Sequence, residues 1–139
     1  MNTPVRAGCT AGALAAAAVA LAGCAPVARP AGEVTIAIHY SHFAPETVMV
    51  AAGAPVTFTL RNDDPIDHEW IVGPPEVHAA HRVGTEPVHE TRPTEVTIPA
   101  LSTRVTTVTF ARPGEYLYIC HLPGHEAYGM RGTVRVVSR

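Results

Sequence analysis

The chain has 139 residues, of which 47% are hydrophobic, so it is long enough for one domain with a packed core. Its formal net charge is −2, and its basic residues are arginines that form no block, which excludes a nucleic-acid-binding surface of the usual kind. Aromatic residues make up only 6%, whereas Val, Thr, Pro and Gly are abundant, and this mixture favours strands joined by turns over a helical bundle.

The first element in the chain is an apolar run, Leu14–Ala22, preceded by one positive charge at Arg6. This run is shorter than the ~20 residues that a membrane-spanning helix needs, so it predicts a signal peptide over residues 1–23. The sequence Leu21-Ala22-Gly23-Cys24 resembles the bacterial lipobox, in which cleavage falls before a cysteine that then carries the lipid. We therefore expect lipidation of Cys24. A plain secretory signal or a buried Ala-rich helix is the alternative.

Residues 24–32 contain two prolines and no periodicity, which indicates a short tether between this anchor and a domain over residues 33–139. Cys9 leaves with the signal peptide. Cys120 is then the only thiol left in a compartment where free thiols tend to oxidise. A lone cysteine in such a compartment is buried and inert, paired between molecules, or protected by a metal.

After the tether, short β-rich runs alternate with turn signals rich in Gly, Pro, Asn and Asp. In Val56–Leu60, for example, Val, Phe and Leu face one side and the threonines the other. About eight such runs predict an all-β, Greek-key β-sandwich of two sheets. The runs are Val34–Tyr40, Val48–Val50, Val56–Arg61, Glu69–Val72, Glu95–Ile98, Arg104–Phe110, Glu115–Cys120 and Thr133–Val137.

The connection from Gly73 to Pro93 is long and contains three histidines, and long loops are usually functional or mobile. A short helix around His78–Arg82 is weakly indicated. His78 and His81 would share one face of that helix, and His89 with a neighbouring carboxylate could complete a second metal site. The alternative is a solvated loop whose histidines bind nothing.

The segment after the predicted strand Glu115–Cys120 contains a second group of candidate ligands. Cys120, His125 and Met130 follow one another at C-x4-H-x4-M spacing, so one loop can bring the three side chains to a single point. Copper that cycles between Cu(I) and Cu(II) favours a soft thiolate, imidazoles and a weak thioether in a trigonal arrangement with a long axial contact. The loop lacks the second imidazole, and His68, at the start of a predicted strand, is the natural candidate.

Residues 33–139 resemble the cupredoxin family, which includes plastocyanin, azurin and pseudoazurin. In that family one histidine comes from a mid-chain strand, and the cysteine, second histidine and methionine come from the loop between the last two strands. The resemblance implies a single type 1 copper ion bound by four residues of this chain. These residues are His68, Cys120, His125 and Met130.

The ligand loop is also similar to that of the final domain of multicopper oxidases, here Cys120-His121-Leu-Pro-Gly-His125-Glu-Ala-Tyr-Gly-Met130. Those enzymes have a histidine before the cysteine, where this chain has Ile119, and their trinuclear copper cluster draws on several His-x-His pairs, of which this chain has none. We therefore expect a protein that is not an enzyme.

The function implied by the resemblance is electron transfer, with redox protein partners docking near His125, where small and apolar residues cluster. The lipid on Cys24 would hold the domain at a membrane, in the periplasm or at the extracellular face. A copper storage or delivery lipoprotein on the same scaffold is the alternative. Its usual mark is a string of exposed methionines and histidines. After Met1 only Met49 and Met130 remain, which argues against a methionine-based chaperone, but the histidines of the 73–93 connection keep this alternative open.

Overall fold

The computed structural model describes residues 32–84 and 92–139. The predicted signal peptide, Cys24, nearly all of the tether and His89 lie outside these residues. Within them the elements are β1 (Glu33–His39), β2 (His42–Ala44), β3 (Thr47–Ala51), β4 (Pro55–Asn62), β5 (His68–Gly73), α1 (Pro75–Val83), β6 (Glu95–Ile98), β7 (Thr103–Thr109), β8 (Gly114–Ile119) and β9 (Arg131–Val137). Each predicted strand is present, and β2 is an additional one.

The strands form two sheets. One has the order β2-β1-β4-β7 and the other β3-β9-β8-β5-β6. The chain passes repeatedly from one sheet to the other, and two of the strand pairs, β1 with β4 and β3 with β9, are parallel. This arrangement confirms the predicted all-β sandwich.

The core lies between the sheets and follows the alternation seen in the sequence. In β4 the side chains of Val56, Phe58 and Leu60 are fully buried, while the intervening threonines face outwards. Trp70 of β5 is also fully buried and packs against Phe58, with 4.9 Å between ring centroids. The ring centroid of Tyr118 lies 6.2 Å from that of Trp70. These aromatic rings fill the centre of the sandwich.

Strand β5 is buried along its whole length, because the core covers one face and helix α1 packs against the other. The helix begins with Pro75, whose fixed φ suits a first helical position. Gly73 lets the helix approach closely, since a Cβ at this position would lie only 2.9 Å from the Val77 side chain. The weakly indicated helix is therefore real, and it occupies the first half of the long connection.

Candidate metal centre

The candidate site lies at one end of the sandwich, where two segments of the chain meet. Strands β5 and β8 are antiparallel neighbours, with Ile71 opposite Ile119, so the start of β5 and the end of β8 lie at the same end of the sheet. His68 is the first residue of β5, and Cys120 directly follows β8. Sheet register therefore brings together two distant parts of the chain. The hydrogen bond between Glu69 and Cys120, for example, joins residues that are 51 positions apart in sequence.

Three predicted ligands converge on one point. The Nδ1 atoms of His68 and His125 are 3.2 Å apart, and the Cys120 Sγ atom is 3.3 Å from His125 Nδ1. The three donor atoms all lie within 4.8 Å of one another. A metal ion with bonds of about 2.0–2.3 Å to nitrogen and sulfur fits at the centre of such a triangle. Two imidazoles and one thiolate are the donor set of a trigonal copper site, so the residues fit this ion.

Asp64 fixes the orientation of the buried His68 ring. Its Oδ2 atom lies 3.0 Å from His68 Nε2, which therefore carries the proton and donates it, leaving Nδ1 free to bind a metal. The same carboxylate accepts hydrogen bonds from the backbone N–H groups of Tyr40 and Ser41, at 2.7 and 2.8 Å. Burial acts to raise the pKa of Asp64, but these amides and His68 together lower it below its usual value. No pattern in the sequence indicated this role of Asp64.

The sulfur of Cys120 is completely buried and accepts a hydrogen bond from the Glu69 N–H group at 3.3 Å. Burial raises the pKa of the thiol to about 11, because a thiolate without a partner is poorly solvated in the core. The thiol proton must therefore leave before the sulfur can act as a ligand. This burial also shields the only free cysteine among the described residues from oxidants.

The loop between β8 and β9 is closed by its own backbone hydrogen bonds. The Cys120 N–H group donates to the Met130 carbonyl at 3.1 Å, and the Met130 N–H group donates to the His125 carbonyl at 3.0 Å. Gly124 and Gly129 have φ values of 84° and 92°, which glycine adopts without strain. The Met130 side chain is fully buried next to this closed loop. Its role as axial ligand stays a prediction.

His125 lies at the surface end of the site. Its ring is only partly buried, and burial together with the nearby His68 lowers its pKa. Around it the loop presents exposed small and apolar residues, and the Tyr128 side chain is 77% exposed. These residues are Pro123, Gly124, Ala127 and Tyr128. This part of the loop is therefore exposed to solvent, and the docking of redox partners near His125 stays a prediction.

Of the histidines predicted for a second metal site, the structure describes His78 and His81, whereas His89 lies outside the described residues. His78 and His81 lie on α1, as expected, and their rings approach His121, which sequence analysis did not include in that site. His121 meets them because it directly follows Cys120. Consecutive residues at a strand end point to opposite faces, so His121 faces the helix while Cys120 faces the core. The Cys-His pair in the motif was the signal that could have indicated this.

We predict that Asp64→Asn raises the reduction potential of the bound copper. The negative charge beside His68 stabilises Cu(II) over Cu(I), and its removal is expected to shift the potential by roughly 1–2 kcal/mol, or about 40–90 mV for one electron. Cyclic voltammetry of both proteins measures the shift. Asp63→Asn is the matched control, since Asp63 is exposed and pairs with Arg61 instead. A potential that moves equally in both variants would contradict the assigned role of Asp64.

Comparison with known proteins places the chain among copper proteins. Residues 31–137 match the family described as copper binding proteins of the plastocyanin/azurin family. A curated relative, the copper-resistant cuproprotein CopI of Rubrivivax gelatinosus, is 29% identical over 97 residues. The match covers 68% of this chain, and the chain spans only 59% of the length of that relative.

Solved structures show the same fold. Dithionite-reduced auracyanin of Roseiflexus castenholzii has a TM-score of 0.67 at 22% identity, covering 78% of this chain and 99% of the auracyanin. Auracyanin A of Chloroflexus aurantiacus, described as a blue copper protein, has a TM-score of 0.61 at 26% identity, covering 76% and 98%. Among the described residues, no helix is long and apolar enough to cross a membrane.

Proposed function

Since the chain belongs to the plastocyanin/azurin family of copper-binding proteins, we propose that it is a one-electron carrier with a type 1 copper site. The ligands in this proposal are His68, Cys120, His125 and Met130. Copper supplies the Cu(I)/Cu(II) couple. The observation that carries the proposal is that the donor atoms of His68, Cys120 and His125 all lie within 4.8 Å of one another.

The contacts around the site support electron transfer because they hold the ligands in one arrangement. Asp64 orients His68, the Glu69 amide donates to the Cys120 sulfur, and the ligand loop is closed by backbone hydrogen bonds. Ligands that need not move between oxidation states lower the barrier to electron transfer. The partly exposed ring of His125 is the proposed exit for the electron, and its exposed neighbours are the proposed docking surface for redox proteins.

Copper storage or delivery is the second candidate, and two observations favour it. The relative CopI is described as a copper-resistant cuproprotein. In addition, His78, His81 and His121 offer imidazoles outside the first site. Catalysis is not proposed, since the chain lacks the His-x-His pairs of a trinuclear cluster.

The experiment that separates carrier from delivery protein measures electron exchange and copper retention on the same sample. A carrier is expected to pass through repeated cycles of dithionite reduction and ferricyanide oxidation with its visible band undiminished. It should also retain its Cu(I) for hours in the presence of a Cu(I)-specific chelator. Transfer of the first-site copper to the chelator within minutes, or slow electron exchange, would favour delivery and contradict the carrier.

We also propose that Cys24 carries a lipid that anchors the domain to a membrane of the cell envelope, with the domain in the periplasm or at the outer face. The support is the lipobox-like sequence before Cys24, which lies outside the described residues. Stable anchoring needs more than one acyl chain, and this modification supplies them. Mass spectrometry of the mature N-terminus tests the proposal: an unmodified N-terminus, or one at another residue, would refute it.

A further inference from the structure

Helix α1 contacts the ligand loop between β8 and β9 at two loop residues. His121 directly follows the proposed ligand Cys120, and Glu126 directly follows the proposed ligand His125. The side chains of both loop residues contact the helix. The helix residues at these contacts are His78, His81 and Arg82. The helix therefore reaches the loop immediately beside two of the proposed ligands.

The first contact is made by the His121 ring. His78 Nε2 lies 3.2 Å from the carbonyl oxygens of both Gly73 and Leu117, which only accept, so Nε2–H is the donor. His78 Nδ1 then accepts a hydrogen bond from His121 Nε2–H at 3.0 Å. The His81 ring stacks on that of His121, with 5.5 Å between centroids and 22° between the planes. This contact ties the loop to a helix that is itself bonded to β5 and β8.

The second contact is an ion pair between Arg82 and Glu126, which are 44 positions apart in sequence. Arg82 Nε donates to Oε1 and Oε2 at 3.3 and 3.0 Å, and Nη2 donates to Oε1 at 2.6 Å. The side chains are 48% and 30% exposed, so the pair contributes little to the free energy of unfolding. Its forked geometry nevertheless fixes the position of the carboxylate, because two nitrogens of the planar guanidinium bind it together.

This ion pair reaches an exposed part of the loop. Glu126 lies between Gly124 and Gly129, whose φ values are 84° and 92°. Glycine adopts many backbone conformations at low cost, so two glycines make this segment easy to deform. Backbone hydrogen bonds, such as that from the Tyr128 N–H group to the Gly124 carbonyl at 3.0 Å, close the loop upon itself. The bonds from Arg82 join the same segment to a helix outside the loop.

We propose that Arg82 is a positioning residue for the copper site, which acts by holding Glu126 and, with it, the backbone that carries His125. This inference rests on the copper site of the proposed function. Release of copper requires that a ligand moves away from the ion, and His125 is the one proposed ligand that is not fully buried. Holding its backbone therefore slows the release of copper and keeps the ligand in place through redox cycles.

The test measures how fast Cu(I) passes from the reduced protein, loaded with one copper, to a Cu(I)-specific chelator. Arg82→Leu is expected to raise this rate by about tenfold, at the lower end of the range for groups that support a metal ligand. Glu126→Leu should raise it by a similar factor, since it removes the other half of the same contact. The double variant Arg82→Leu/Glu126→Leu should release copper no faster than either single variant.

The two single variants distinguish positioning from a simple charge effect. Arg82→Leu removes a positive charge, which by Coulomb's law favours retention of the cation, whereas Glu126→Leu removes a negative charge and favours its release. Loss of the positioning contact instead accelerates release in both variants. Amide hydrogen exchange of the apo-protein adds a readout that needs no copper. The N–H groups of Tyr128 and Met130, which are bonded within the loop, should exchange at least about threefold faster in both variants.

Arg135→Leu is the matched control, because it removes an exposed pair with Glu115 that joins β8 and β9 near the end far from the ligand loop. Its copper release and loop exchange should equal those of the wild type. Urea denaturation of the apo-proteins should show no greater loss of stability in Arg82→Leu than in this control. Unchanged copper release or loop exchange in Arg82→Leu, opposite effects of the two single variants, or an additive double variant would each overturn the proposal. Rapid copper release by the wild type would instead contradict the carrier function, because the positioning role is judged from the ratio of the rates.

Discussion

Cys120→Ser is expected to abolish the intense visible absorption of the Cu(II)-loaded protein. The band arises from charge transfer between a thiolate and Cu(II), and Cys120 is the one free cysteine among the described residues. Serine keeps the size of the side chain but replaces the soft sulfur by a hard oxygen, which a trigonal copper site disfavours. Absorption and electron paramagnetic resonance spectra of the two proteins, loaded with one equivalent of Cu(II), make the comparison.

Met130→Leu is the matched control for this variant, since it changes a buried sulfur of the same loop without removing the thiolate. The variant should keep its copper and its colour, and its potential should rise, because loss of a weak axial donor favours Cu(I). A wild-type protein that binds Cu(II) but remains colourless, with a large copper hyperfine splitting, would contradict the thiolate site. An unchanged potential in Met130→Leu would show that another group is the axial ligand.

Gly132→Ala is expected to destabilise the domain by about 3 kcal/mol, at the upper end of the range for overpacked cores. Gly132 of β9 lies opposite Tyr118 of β8, and the buried tyrosine ring covers the glycine. A Cβ at Gly132 would overlap the ring. The ring cannot rotate away, because Phe43 and Trp70 pack around it and its hydroxyl donates to the Pro45 carbonyl.

Urea denaturation of the apo-protein measures the change in the free energy of unfolding. Gly32→Ala is the control, since a Cβ at that position meets no atom within 4 Å, and this variant should unfold like the wild type. In a double-mutant cycle, Tyr118→Leu should remove most of the penalty of Gly132→Ala, because the overlapping ring is gone. Additive effects of the two substitutions would refute the steric explanation.

The sequence was sufficient to predict most of the sandwich, because alternating apolar residues and turn chemistry are local signals. Strand β2 was missed for a local reason too: it has only three residues, and the turn before it is Tyr40-Ser41. Both turn residues have positive φ, where Gly or Asn is the usual signal. The amides of this turn are instead stabilised by Asp64, which lies in another part of the chain.

The candidate site was predictable to a similar degree. The loop ligands share one short motif, and His68 could be added because strand ends meet at one end of a sandwich. The roles of Asp64 and His121 could not be predicted in this way, since each depends on a contact between distant segments. Asp64 reaches the turn 24 residues before it, and His121 meets a helix 43 residues before it. Such contacts follow from the packing of whole elements rather than from spacing.

The position of Asp64 has a consequence for how copper proteins of this shape can diverge. One carboxylate joins the strained turn at Tyr40 and Ser41 to the ring of His68. A substitution in that solvent-facing turn changes how the carboxylate is held, and the carboxylate in turn orients the ring of His68. Natural variation at the surface can thereby tune the metal while every ligand stays the same.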